Sequence, residues 1–142
     1  MAKRVAVVER HKMKKRVLCV LAVAWFMGET ALLAAEPASP DECVMQFFEA
    51  SKNGDTARMK QLMEGSFYNQ RKTLLENNPT YPDFLRKHYD GARLQITNVQ
   101  EDRGGWVVEL RTKFADGTVD SNKFLLQKDA TGSWKIVQNV YP

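Results

Sequence analysis

Residue types that build most recognisable active sites are scarce in this chain. Its 142 residues include 2 cysteines and 2 histidines, and one of each lies before Glu36. No Cys-x-x-Cys pair, zinc-type histidine pair, glycine-rich phosphate loop or Gly-x-Ser-x-Gly motif occurs. These absences argue against redox relay, nucleotide hydrolysis and serine hydrolysis, and we predict neither a metal nor a cofactor.

Positive charge is also scarce once the N-terminal residues are set apart. Seven of the 21 Lys and Arg residues, and two of the 17 Asp and Glu residues, precede Glu36. The net charge of the whole chain is +4, whereas residues 36–142 hold 14 basic and 15 acidic residues. Binding to nucleic acid requires a basic surface, so we predict no nucleic acid partner.

The N-terminal residues have the pattern of a secretory signal peptide. Residues 13–16 read Met-Lys-Lys-Arg, residues 17–27 are apolar, and Ala34 and Ala35 precede a polar junction. We predict a signal peptide over residues 1–35, with Met13 as an alternative start, and a periplasmic or secreted protein. If the leader stays uncut, residues 17–35 form a membrane anchor, although Glu29 interrupts that run.

Cys43 is the cysteine that remains after removal of the leader, so no internal disulfide can form. We predict a small, half-buried apolar residue on the first helix, because free cysteines are often buried. The alternative is an exposed thiol that pairs between molecules.

The rest of the chain predicts an α+β domain. Residues 36–40 form a short linker, and residues 41–142 form a single domain. A first helix is indicated by Val44, Phe47 and Phe48, with Ser39 as its cap, and a second helix follows Asp55. A short helix opens near residue 83. Residues 93–101, 106–114, 119–128 and 134–141 then alternate as strands separated by hairpin turns, which predicts an antiparallel meander.

The strand pattern predicts one face of the sheet that packs on the helices. Val108 and Leu110 share this inner face, whereas Glu109 and Arg111 lie on the outer face. Gln138 interrupts the apolar stripe of the last strand. It is either a hydrogen-bonded core amide or a sign that the stripe ends at Ile136.

Two parts of the chain carry a family resemblance, one between Pro40 and Asp55 and one between Gly132 and Val137. In these residues the chain resembles the small exported members of the nuclear transport factor 2-like superfamily. The resemblance implies a four-stranded sheet curved around the first helix, a cystatin-like cone with an apolar pocket at its mouth. Such proteins include polyketide cyclases, steroid isomerases and non-enzymatic binding domains, so fold alone does not decide function. The residues that carry the resemblance are Pro40, Asp41, Glu42, Val44, Phe47, Phe48, Ala50, Gly54 and Asp55, and later Gly132, Trp134, Lys135, Ile136 and Val137.

Candidate site residues follow from this expected pocket. His88 is the histidine left after processing, and it serves as a general base, a ligand contact or an ordinary residue at a helix end. Tyr68, Tyr89 and Trp106 are candidates for ligand stacking, with core filling as the alternative. Glu109 is a ligand-binding candidate, with a solvated outer face as its alternative.

Three functional hypotheses remain open at this point. The first is an exported, non-enzymatic binding module whose apolar pocket holds a small ligand or an envelope-protein partner. The second is a cyclase- or isomerase-type enzyme that uses His88 with Asp83 or Glu109. The third is a structural domain that self-associates through its curved sheet as a homodimer.

Overall fold

The computed structural model describes residues 35–141, so the predicted signal peptide lies outside the described residues except for Ala35. Four helices precede four strands in this range, which confirms the predicted α+β class. The helices and strands are α1 (Pro40–Asn53), α2 (Thr56–Gln61), α3 (Gly65–Asn77), α4 (Tyr81–His88), β1 (Arg93–Asp102), β2 (Gly105–Lys113), β3 (Val119–Lys128) and β4 (Trp134–Asn139).

Helix α1 has the signals expected at both of its ends. The Ser39 side chain accepts a hydrogen bond from the Glu42 N–H, and Pro40 occupies the first turn, where its missing N–H is not needed. Gly54 ends the helix with a left-handed φ of +64°. One face of α1 is buried, which confirms the predicted amphipathic helix; its buried residues are Pro40, Cys43, Val44, Phe48, Ala50 and Ser51.

Helix α3 was not predicted from the sequence. Its buried side is formed by Phe67 and Leu75, which lie eight residues apart, and Arg71 is midway between them. Positions four residues apart share a helix face, so these three residues form one stripe. Because a cation occupies the middle of the stripe, the apolar periodicity is too weak to predict the helix.

The four strands form one antiparallel sheet in the order β1-β2-β3-β4, as predicted. Val108 and Leu110 of β2 are buried on the inner face, together with Leu126 of β3 and Ile136 of β4. The edge of β4 is paired with the segment between α2 and α3. The Ile136 N–H donates to the Leu62 carbonyl at 2.9 Å, and its carbonyl accepts from the Glu64 N–H at 3.0 Å.

A register shift in β4 decides between the two interpretations of Gln138. Leu126 pairs with Ile136, but Leu125 pairs with Gln138, so one extra residue is accommodated in β4. Gln138 is therefore exposed on the outer face, and Asn139 lies opposite the buried Phe124. The apolar stripe ends at Ile136.

Aromatic packing ties the helices to the sheet. Phe67 of α3 lies edge-to-face against Phe47 of α1, with ring centroids 5.5 Å apart, and against Phe124 of β3 at 5.1 Å. This arrangement places α1 and α3 over the inner face of the sheet. None of the helices within residues 35–141 has the length and apolar character needed to cross a bilayer.

Candidate functional site

A small cavity lies between α1 and the inner face of the sheet. Its volume is about 50 Å³. Five of the lining residues are not buried, and we call four of them the cavity mouth: Tyr89, Phe114, Asp120 and Asn122. The fifth is Phe47 of α1. The remaining lining residues are Val44, Phe48, Ser51, Leu110, Thr112 and Phe124.

The size of this cavity limits what it can enclose. Pockets for drug-sized ligands typically measure about 300 to 1,000 Å³, and one water takes up about 30 Å³. A cavity of about 50 Å³ accepts a small apolar group. The rest of any ligand that uses it must lie at the cavity mouth.

His88, the last residue of α4, lies beside the cavity mouth and is exposed. Its ring stacks on Phe84 at 5.4 Å and lies 4.9 Å from the rings of both Tyr89 and Phe114. The hydrogen bonds among residues 35–141 include none between His88 and a carboxylate. Asp83, one of its proposed partners, forms an ion pair with Arg86 instead.

The turn between β2 and β3 brings Asp116 near His88. The Asp116 carboxylate accepts two hydrogen bonds from Thr118, at 2.7 and 2.9 Å. These bonds hold the pKa of Asp116 below its usual value, and His88 adds a smaller effect in the same direction. Asp116 therefore stabilises a hairpin turn. No group of three or more metal-ligating side chains occurs in the described part of the chain.

Tyr89 is the sequence-predicted candidate that lines the cavity itself. Its ring lies edge-to-face against Phe48 of α1, with centroids 5.7 Å apart. Burial is the largest cause that raises the pKa of the Tyr89 phenol. The phenol therefore stays neutral near pH 7 and can donate or accept a hydrogen bond at the cavity mouth.

Tyr68 and Trp106 lie away from the cavity. The Tyr68 hydroxyl donates to Glu76 on the same helix, and this hydrogen bond raises the pKa of Tyr68. Trp106 is at the start of β2, eight residues before Phe114, which corresponds to about 26 Å along a strand. Neither residue lines the cavity mouth.

Glu109 lies on the outer face of the sheet, as the alternation of β2 predicted. It forms an ion pair with Lys123 of β3 at 3.0 Å. Both residues line an open groove of about 420 Å³, whose lining also includes Leu110, Asp120 and Asn122 of the cavity. A second open groove, of about 500 Å³, runs between α1 and β1 past Met45 and Leu94.

Of the five candidate residues predicted from the sequence, the structure therefore brings together two, His88 and Tyr89.

Arg71 is a residue beside the site that the sequence analysis missed. Its guanidinium lies 3.7 Å from the centre of the Phe67 ring, and it donates to the Phe67 carbonyl at 3.1 Å. Burial lowers the pKa of Arg71, and the nearby phenols of Tyr81, Tyr141 and Tyr89 act in the opposite direction. The signal in the sequence is a cation four residues from each of two apolar residues, Phe67 and Leu75.

Cys43 is more deeply buried than predicted, with none of its surface exposed. Its Sγ donates to the Trp134 carbonyl at 3.6 Å. Burial raises the pKa of the Cys43 thiol to about 12. Folded protein therefore holds this cysteine as a packed thiol in the core.

We predict that the Cys43 thiol does not react in the folded protein. With a pKa of about 12, almost no thiolate is present at pH 8, and the sulfur is also inaccessible. On a protein of residues 36–142, absorbance with a thiol-specific disulfide reagent should show no fast reaction in native buffer and one thiol in 8 M urea. A fast reaction in native buffer would contradict the buried position of Cys43.

Comparison with known proteins gives a similarity to solved structures and none to a family model or a curated protein. No protein-family model matches the chain, and no curated protein matches it. A solved structure described as a "Putative NTF2-like transpeptidase" from Campylobacter jejuni matches with a TM-score of 0.48 and 14% identity. The match covers 70% of this chain and 99% of that chain. The elements of residues 35–141 themselves give the predicted α+β fold, helices followed by a four-stranded antiparallel sheet.

Proposed function

We propose that the protein is exported and acts as a non-enzymatic binding module that holds a small, partly apolar ligand at the cavity mouth. The observation that carries this proposal is the cavity between α1 and the sheet. Its inner end is lined by apolar residues such as Val44 and Leu110, while Asp120 and Asn122 supply polar groups at the opening. Ligand sites commonly combine an apolar interior with a few polar groups that fix orientation.

Export is supported by the sequence pattern. The basic residues 13–16, the apolar residues 17–27 and the small residues before Glu36 are arranged as in a signal peptide. Removal of residues 1–35 would leave every described helix and strand intact, since α1 begins at Pro40.

The binding role is favoured over catalysis by the surroundings of His88. General base catalysis works best when a second group orients the imidazole, usually a carboxylate. Among residues 35–141, the ring contacts of His88 are with aromatic rings, and Asp83 and Glu109 are paired with Arg86 and Lys123. Aromatic contacts suit a residue that shapes a binding surface.

The proposal is tested by NMR on isotope-labelled protein. The protein is expressed in its own host and purified with the N-terminus that the host leaves on it. The probes are hexanamide, phenylacetamide, hexanoate and phenylacetate. We expect shifts at the amides of Tyr89, Phe114 and Asn122. Thr112→Leu should abolish these shifts, because Thr112 is 5% exposed and lines the cavity, so a larger side chain fills it.

Thr97→Leu is the matched control for this experiment. It makes the same change at an exposed residue of β1 that does not line the cavity. Thr97→Leu should bind the probes as the unchanged protein does. Probe-induced shifts that survive Thr112→Leu, or no shifts with any of the four probes, would contradict the proposal.

A further inference from the structure

We propose that Arg71 binds a carboxylate of the ligand held at the cavity mouth, so that the ligand is a small apolar monocarboxylate. This inference rests on the proposed function. The guanidinium presents two parallel N–H groups that match the two oxygens of a carboxylate. The apolar end of the ligand would enter the cavity, and the carboxylate would remain at its edge.

The position of Arg71 places its charge next to the cavity. The guanidinium lies flat against Phe67, whose ring in turn contacts Phe47 and Phe124. Phe47 and Phe124 both line the cavity. Phe67 separates the guanidinium from these two residues, so Arg71 does not line the cavity itself. Tyr89, which does line it, is one of the groups near Arg71.

The charge of Arg71 is not neutralised by the protein. None of the ion pairs among residues 35–141 includes Arg71, whereas Arg86 is paired with Asp83. The hydrogen bond from Arg71 goes to the Phe67 carbonyl, which leaves most of its five N–H donors available. A partly buried cation without a carboxylate partner is costly, and a bound anion would remove that cost.

Three phenols lie near this cation. The phenols of Tyr81, Tyr89 and Tyr141 are close enough to Arg71 to affect its pKa, and no carboxylate among residues 35–141 does so. Burial keeps the pKa of Tyr81 and of Tyr89 above the usual value, so both phenols are neutral near pH 7. Neutral phenols can donate hydrogen bonds to an anion.

Asp120 limits the charge that the ligand can carry. It lines the cavity and lies near Tyr89, and its carboxylate accepts a hydrogen bond from the Asn122 amide at 3.0 Å. A negative group at the mouth repels a second negative charge. A singly charged carboxylate is therefore favoured over a phosphate monoester, which carries about 1.5 to 2 negative charges at pH 7.

The test compares probes that share an apolar group and differ in charge. Phenylacetate, phenylacetamide and phenyl phosphate are titrated into the purified protein, and the dissociation constants are taken from NMR shifts. We expect phenylacetate to bind about 10- to 100-fold more tightly than phenylacetamide, as charged hydrogen bonds to one guanidinium would give. Phenyl phosphate should bind more weakly than phenylacetate.

Four variants assign this preference to Arg71. Arg71→Met keeps an unbranched apolar side chain over Phe67 and should bind the acid and the amide equally. Lys72→Met removes the same charge from an exposed neighbour on α3 and should keep the preference. Arg71→Lys should retain part of it, because the charge remains but the planar pair of donors is lost. Asp120→Asn should tighten phenylacetate binding and leave the amide unchanged.

Thermal unfolding without ligand gives an independent result. If Arg71 is kept for binding, Arg71→Met should melt at the same temperature as the unchanged protein or higher, because an uncompensated charge is removed. Lys72→Met should change the melting temperature little. Adding phenylacetate should raise the melting temperature of the unchanged protein and not that of Arg71→Met.

The outcomes separate this inference from the proposed function. Equal binding of acid and amide at the mouth by the unchanged protein would overturn the role of Arg71 and leave the binding function standing. If phenyl phosphate bound more tightly than phenylacetate, the assignment of the ligand as a monocarboxylate would be wrong. No binding of any probe at Tyr89 or Phe114 would overturn both. An Arg71→Met variant that retains the acid preference would also overturn the inference.

Discussion

Replacing Phe67 with alanine is expected to lower the free energy of unfolding by about 3 to 5 kcal/mol, the usual cost for a buried aromatic residue. Phe67 is 1% exposed and contacts rings from α1 and β3. Its loss would open a hole where two helices meet the sheet, and Arg71 would lose the ring it lies on. Small domains have a total stability of about 5 to 15 kcal/mol, so the variant would be marginal.

Phe84→Ala is the control for this prediction, since Phe84 is 56% exposed. Surface changes usually cost within about 0.5 kcal/mol, and the stack on Tyr81 and His88 adds up to about 1.5 kcal/mol. Urea unfolding followed by circular dichroism measures both variants. If Phe67→Ala and Phe84→Ala lost the same stability, the packing of α3 described above would be wrong.

Replacing Gly54 with alanine is expected to cost about 2 to 5 kcal/mol, from two separate causes. Gly54 has a left-handed φ of +64°, and an added Cβ would lie 2.6 Å from the Pro82 carbonyl oxygen and from Arg86 Nη1. The left-handed backbone costs about 1 to 2 kcal/mol for an L-residue, and overpacking about 1 to 3 kcal/mol. The contact is partly with backbone, so α4 would have to move.

Gly117→Ala isolates the first of these causes. Gly117 has a φ of +88°, but an added Cβ would meet nothing within 4 Å. This control should therefore cost about 1 to 2 kcal/mol, the backbone term alone. Denaturant unfolding of both variants gives the difference, which measures how closely α1 and α4 approach. Equal losses at the two glycines would show that α4 does not lie against Gly54.

The sheet could be predicted well from the sequence, because its signals are local. Asp116-Gly117 and the pair Gly104-Gly105 mark tight turns, and the alternation between them assigns each β2 residue to a face. Side chains alternate between the two faces of a strand, and the face that carries the apolar residues is the one that packs on the helices. Strand bounds predicted in this way differ from those in the structure by at most two residues.

Features that depend on distant contacts could not be predicted. Helix α3 was missed because its inner stripe includes Arg71, whose place over Phe67 is decided by packing. The extra residue in β4 depends on its pairing with β3, so the inner position of Asn139 and the outer position of Gln138 had no local signal. Pairing between strands is not visible in the composition of either strand.

Only the part of the candidate site that depends on neighbouring residues could be predicted, because contacts between distant residues have no local signal. His88 and Tyr89 follow one another and end α4, so their common location was predictable from the helix-to-sheet junction. Trp106 begins the apolar face of β2 and Phe114 follows the other end of the strand, so the two residues are separated by the full length of β2. Composition identified the aromatic residues, and the fold decided which of them reach the cavity mouth.

Native mass spectrometry of the protein purified from the envelope fraction of its own host tests the central claim most directly. The account predicts a chain that begins near Glu36 and carries a reproducible small-molecule adduct, released on mild activation as a monocarboxylic acid. Thr112→Leu, expressed in the same host, should lack the adduct, and Thr97→Leu should keep it. If the unchanged protein were isolated without a ligand, or bound only to another protein, the claim would be contradicted.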